Sequence, residues 1–213
     1  MNGIWEWLRK ILGGGRGPAR EQYVIAIDPG HGGRFPGATV EHPDRPGQNV
    51  MEKDITLAIG LKLGRILERE GHRIIYTRED DSNLSDDLNA DLRQRADIAN
   101  TAGAEVFVSI HCNSAENQAA SGIEVYHFPG STRGRELATH IHDKLMLTFP
   151  DRQDRGVKAE NFAVLRLTTM PSCLVETEFM TNPDALRFLL DPKNQQKIAE
   201  AMRDGIYAYF RSA

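Results

Sequence analysis

The sequence predicts one α/β domain, a mostly parallel twisted sheet with helices on both faces. Three observations predict it. From Tyr23 onward, short β-branched apolar runs alternate with longer segments of helical apolar period. The chain has 213 residues, which fits one domain better than two. Its 40% hydrophobic content is enough for one core.

Residues 1–20 read as an arm ahead of the 21–213 domain. Ile4, Leu8, Ile11 and Leu12 fall at helical spacing beside Trp5 and Trp7. Gly13, Gly14 and Gly15 end any helix, and Gly17-Pro18 makes a joint. The arm is either a short packed or frayed helix, or a weak membrane or partner contact through residues 4–12.

Residues 23–27 then form a strand, stopped by Asp28-Pro29-Gly30. Residues 34–50 hold Pro36, Gly37, Pro43, Pro46 and Gly47 and read as a loop, a groove wall or a surface excursion. Asp54 is the expected N-cap of a helix that buries Ile55, Ile59, Leu63, Ile66 and Leu67 and stops near Gly71. Residues 73–77 are a short strand, 88–102 a helix, and 105–110 and 123–128 strands. Residues 132–148 form a helix with Leu137, Ile141 and Leu145 on one face. Residues 163–165 and 173–176 read as further strands. Asn182-Pro183 and Asp191-Pro192 each place a capping residue before proline, which suits helix starts. The last helix buries Ile198, Met202, Ile206 and Tyr209.

Composition removes several classes. Twenty-six basic against 30 acidic residues leave a net charge of −4, which argues against a bulk electrostatic nucleic-acid binder. Two cysteines exclude a disulfide scaffold and a Cys-only zinc site, and Cys112 and Cys173 read as small buried free thiols. No apolar run approaches the roughly 20 residues of an integral membrane segment. Glu6, Arg9 and Lys10 interrupt the N-terminal apolar stretch, so no standard signal peptide is expected.

In open α/β sheets the ligand crevice lies beyond the carboxyl ends of the strands. Three segments end there: Asp28-Pro29-Gly30-His31, Ser109-Ile110-His111 and Val175-Glu176. With Glu52 at the start of the first helix, His31 and His111 make a His₂Glu set suited to catalytic zinc. A further carboxylate, Glu176, can shuttle the water proton to a leaving amine. The plainer reading stands beside it. A strand-end His can be structural, and a Glu opening a helix complements the dipole. Spacing does not separate the two.

The motifs carry a resemblance. Ile25-Ala26-Ile27-Asp28-Pro29-Gly30-His31-Gly32-Gly33, Glu52-Lys53-Asp54, Tyr76-Thr77-Arg78 with Leu92-Arg93-Gln94-Arg95-Ala96, Val108-Ser109-Ile110-His111-Cys112-Asn113, and Leu174-Val175-Glu176-Thr177 follow one another in order. Together they resemble the zinc-dependent N-acetylmuramoyl-L-alanine amidases of the bacterial cell wall, the amidase 3 family. The resemblance implies one Zn²⁺ per chain on His31, Glu52 and His111, with Glu176 as general base and then acid. It implies cleavage of the amide joining N-acetylmuramic acid to L-alanine in peptidoglycan or muropeptides. Cutting elsewhere in the stem peptide, and a non-catalytic wall-binding module, are the competing readings. The substrate places the protein in the cell envelope, periplasm or wall. Without a standard signal, phage-type release or cytoplasmic recycling would bring the two together.

Several assignments stay open in the sequence. Glu178 would share a face with Glu176 on a regular strand. Arg78, Arg93 and Arg95 are either forks for a stem-peptide carboxylate or ties between elements. Asn113 is expected near the metal-site loop. His42, His72, His127, His140 and His142 are rival ligands on paper. The segment between Phe128 and Gly156 has no room for an added plugging helix, so an open site is expected.

Overall fold

The computed structural model describes residues 22–212. The arm, with the contact expected through residues 4–12, lies outside them. Strand β1 (Val24–Pro29) is buried from Ile25 to Pro29, as a strand covered on both faces must be. It pairs in parallel with β4 (Arg73–Tyr76) and β5 (Val106–Asn113). Strand β8 (Ser172–Phe179) adds to β5 in parallel, and β6 (Ile123–His127) joins β8 antiparallel. Strand β7 (Asp154–Ala159) closes the far edge, giving the order β4-β1-β5-β8-β6-β7. The sheet is mostly parallel, as its sequence predicts.

Helices cover both faces. On one side α1 (Glu52–Arg69) packs on β1 and β5, and α3 (Thr132–Thr148) packs on β6 and β8. The last helix, α6 (Pro192–Ser212), lies against α1 and α3 and contributes Ile198, Met202, Ile206 and Tyr209 to that core. On the other side α2 (Leu88–Thr101) and the short α4 (Ala163–Leu167) cover Ala26, Phe107 and Leu174. Helix α5 (Pro183–Leu190) is capped by Asn182, whose side chain accepts from Asp184 N and Ala185 N.

Four local expectations are corrected. Helix α1 begins at Glu52 rather than after Asp54, because the preceding loop satisfies its first amides: Glu52 N donates to Ala38 O and Lys53 N to Pro36 O. Residues 163–165 lie in a helix, since three apolar residues cannot distinguish the two periods. Within the expected loop 34–50, β2 (Thr39–Glu41) pairs antiparallel with β3 (Asn49–Met51). Strand β7 escaped the sequence reading because its polar run with Gly156 shows no alternation, as edge strands often do not.

Between β6 and β7 the only regular element among the described residues is α3, which packs on β6, β7, β8 and α6. No helix among the described residues is long and apolar enough to cross a membrane.

Candidate active site

The loop after β1 is held by two buried arginines. Arg78 donates from Nε to Pro29 O (2.8 Å) and from Nη2 to Gly30 O (3.0 Å). Arg95 donates to Pro29 O (3.0 Å) and to His31 O. Three consecutive carbonyls are thereby gripped, and His31 is held at φ +64°, a conformation that costs a non-glycine residue energy. Arg95 is in turn pinned by Asp28 (2.9 Å) and Asp91 (2.6 Å). Burial opposes the Asp28 charge, but Arg95 and the hydroxyls of Thr77 and Ser109 outweigh it and hold its carboxyl below the usual range. Arg78 and Arg95 thus tie elements together, their guanidinium groups turned to backbone carbonyls and buried carboxylates; Arg93 is exposed on α2.

Glu52, the first residue of α1, receives both imidazoles. His31 Nε2 lies 3.0 Å from Oε2, and His111 Nδ1 lies 2.9 Å from Oε1. Ala38 N donates to Oε2 and Cys112 N to Oε1, each at 3.0 Å, so both oxygens are anchored from the backbone. Burial alone would raise its pKa; the His111 and His31 contacts reverse this and hold it far below the ordinary carboxylate value. Close approach demands two glycines. A Cβ on Gly30 would lie 2.3 Å from His111 Cε1. One on Gly37, at φ +69°, would lie 2.5 Å from Glu52 Oε2.

His31, Glu52 and His111 offer donor atoms within 4.8 Å of one another, and no other such group occurs among the described residues. Two imidazoles and a carboxylate anchored by amides are a suitable donor set for a catalytic divalent ion, with zinc the natural fit. The rival histidines are engaged elsewhere: His42 Nδ1 accepts from Asp44 N, His127 contacts Phe128 O, and His140 contacts Ser212. His142 lies 2.9 Å from Asp154, and His72 contacts Tyr207. Cys112 and Cys173 are buried and unbridged.

The donors open into a cavity of about 260 Å³, walled by Leu92, Asn113, Phe162, Val164 and Glu176. Glu176 lies directly opposite His111 in the β5–β8 ladder. Its Oε2 is shielded from solvent and has no hydrogen-bond partner. Burial pushes its pKa up to about 7; His111 pulls against this, while Glu52 and Glu124 add to it.

Glu178 does not join Glu176. The register passes from His111↔Glu176 to Asn113↔Phe179, so three residues of β8 span two of β5. This bulge breaks the alternation that would align the two glutamates. Glu178 Oε2 instead accepts from Gly122 N (2.7 Å) and Phe179 N (2.8 Å), fully buried.

Sequence reasoning missed Glu124. It is buried opposite Glu176 on β6 and gathers Asn113, Tyr126, Arg155 and Lys158. A carboxylate inside an apolar strand needs such partners, and that was the available signal. Asn113 reaches the cavity with its amide tied to Glu124.

This is the fold and site of a hydrolytic amidase domain. The chain belongs to the N-acetylmuramoyl-L-alanine amidase family, which its residues 25–208 match. It is 30% identical to the germination-specific N-acetylmuramoyl-L-alanine amidase of Bacillus subtilis, over 88% of this chain and 79% of that one. It is 33% identical to the B. subtilis amidase LytC over 88% of this chain, which covers only 36% of LytC. Among solved structures, the CwlD amidase of Clostridioides difficile, determined with the GerS lipoprotein, superposes with a TM-score of 0.82 at 33% identity, covering 90% of this chain and all (100%) of that one. The catalytic domain of CwlV from Bacillus (Paenibacillus) polymyxa gives 0.79 at 33%, with coverage of 90% and 100%.

Proposed function

We propose that this chain hydrolyses the amide between the lactyl group of N-acetylmuramic acid and L-alanine in peptidoglycan, in the cell envelope, with one Zn²⁺ held by His31, Glu52 and His111. The observation that carries the reading is Glu176, a half-buried carboxylate whose Oε2 is shielded and unpartnered, opposite His111 in the cavity of the three-donor group. Bound zinc would supply Lewis acidity, acidifying a water and polarising the scissile carbonyl. Glu176 takes the proton of the attacking water and delivers it to the leaving nitrogen. A carboxyl near neutrality is suited to both halves of that transfer. Leu92, Phe162 and Val164 shield the reacting groups from bulk water. Asp28, Arg78 and Arg95 keep the His31 backbone in place.

The test is digestion of purified sacculi with mass analysis of the products, alongside zinc quantification. Free glycan strands with intact stem peptides, activity lost on chelation and restored by Zn²⁺, are the expected results. Products cut within the stem would assign a peptidase instead. Binding to sacculi without any release would assign a wall-binding module.

A further inference from the structure

Glu124, Tyr126, Leu174, Glu176 and Lys158 share one face of the sheet. Directly opposed residues of paired strands point the same way, and the register sets Glu124 against Glu176, Tyr126 against Leu174 and Lys158 against Tyr126. This is the face onto which the cavity opens, since Leu174 and Glu176 line it and Tyr126 meets Phe162 edge-on at 5.2 Å. Two cations converge there on one carboxylate oxygen. Arg155 Nε lies 2.9 Å from Glu124 Oε2, and Lys158 Nζ bonds the same oxygen. The other oxygen takes Asn113 and Tyr126.

Two cations therefore share the single Glu124 carboxylate, with Glu176 directly across on β8. Arg155 is spent on structure: it also lies over the Phe179 ring at 4.7 Å. Lys158 is different. Its side chain is 40% exposed, and one carboxylate bond leaves two of its three ammonium protons for another acceptor. Glu124 ties that ammonium to the cavity wall, since its other oxygen accepts from Asn113, which lines the cavity, and Glu124 itself stands opposite Glu176 on the neighbouring strand.

We infer that Lys158, held by Glu124 and backed by Arg155, is a subsite for a carboxylate of the stem peptide. The inference rests on the amidase reading above. Within that substrate the N-acetylated glycan and the lactyl acyl group carry no anion. The peptide on the leaving side does, at the D-glutamyl α-carboxyl next to L-alanine. Lys158 thus discriminates free from amidated stems.

Two muramoyl tripeptides test this, muramoyl-L-Ala-γ-D-Glu-L-Lys with the D-glutamyl α-carboxyl free or amidated. Their Kd values are measured by calorimetry on the zinc-loaded Glu176→Gln protein, which leaves the amide uncut. The free form is expected to bind roughly fivefold tighter, between an exposed pair and a buried charge-assisted bond. Adding Lys158→Gln should equalise the two; Lys158→Arg should keep the preference. Equal affinities before Lys158 is changed, or a preference that survives Lys158→Gln, would overturn the subsite. Cleavage of both tripeptides by the wild-type enzyme is read in parallel. If neither is cut at the muramoyl–alanine bond, the amidase reading fails, while the affinity ratio still decides the subsite.

Discussion

Glu176 stands directly opposite His111 across the β5–β8 ladder, and both side chains face one cavity. Adjacent strands of a parallel sheet thus bring a metal-type donor and a carboxylate together from distant parts of the chain. Glu176→Gln should abolish sacculus digestion, by about 10²- to 10⁴-fold in kcat, while the protein still loads one zinc. Glu178→Ala should act differently. Loss of an acceptor for two buried amides lowers stability by about 1–3 kcal/mol, read as a lower Tm, with zinc binding kept.

The raised Glu176 pKa makes a stability prediction for the metal-free protein. A carboxyl that binds its proton more tightly when folded stabilises the fold below its unfolded value, 4.5, and loses that contribution as pH rises through about 7. Wild type and Glu176→Gln should have similar Tm at pH 4. At pH 8 the variant should be the more stable, by on the order of 2 kcal/mol. Thermal melts at the two pH values, in chelator, check it.

Asp28 has the opposite sign. Its lowered pKa contributes stability above the ordinary value of 3.8, and that contribution fades as pH falls below it. Asp28→Asn leaves Arg95 buried with less compensation and should cost about 3–5 kcal/mol at pH 7. The difference from wild type should narrow in acid, as urea midpoints at pH 7 and pH 3 would show.

Arg95→Met keeps length and apolar volume but releases the His31 carbonyl and leaves Pro29 O to Arg78 alone. His31 should then relax from its positive φ, and zinc affinity should fall by about 10- to 100-fold, as it does when supporting residues of a metal site are removed. Competition with a chromogenic chelator measures this directly.

Gly30→Ala is the sharpest steric probe. The added methyl would meet the His111 ring at 2.3 Å, and the ring must leave its place. Zinc binding should be lost while circular dichroism stays native.

The periodicities of the chain were legible because each element buries a face or a run that local spacing reveals. Ile55, Ile59, Leu63 and Ile66 announce α1, and the run ending at Asp28 announces β1. Elements without that contrast were not legible. Strand β7 is polar and half-exposed, and α4 is one turn long. Arg78 and Arg95 were visible as charges, but which groups they meet depends on a loop 49 and 66 residues away in the chain.

Taken alone, the residues specify the mostly parallel α/β architecture, the identity of His31, Glu52, His111 and Glu176 as candidates, and the family that their motifs resemble. Tertiary structure settled which candidates meet. The bulge in β8 turns Glu178 into a buried acceptor for Gly122 and Phe179 while Glu176 faces the cavity. It also assembled Glu124, Asn113, Lys158 and Arg155 from three strands. The reason is physical. Hydrophobic period is a property of neighbours in the chain, whereas strand register and the pairing of buried charges arise only when distant segments pack together.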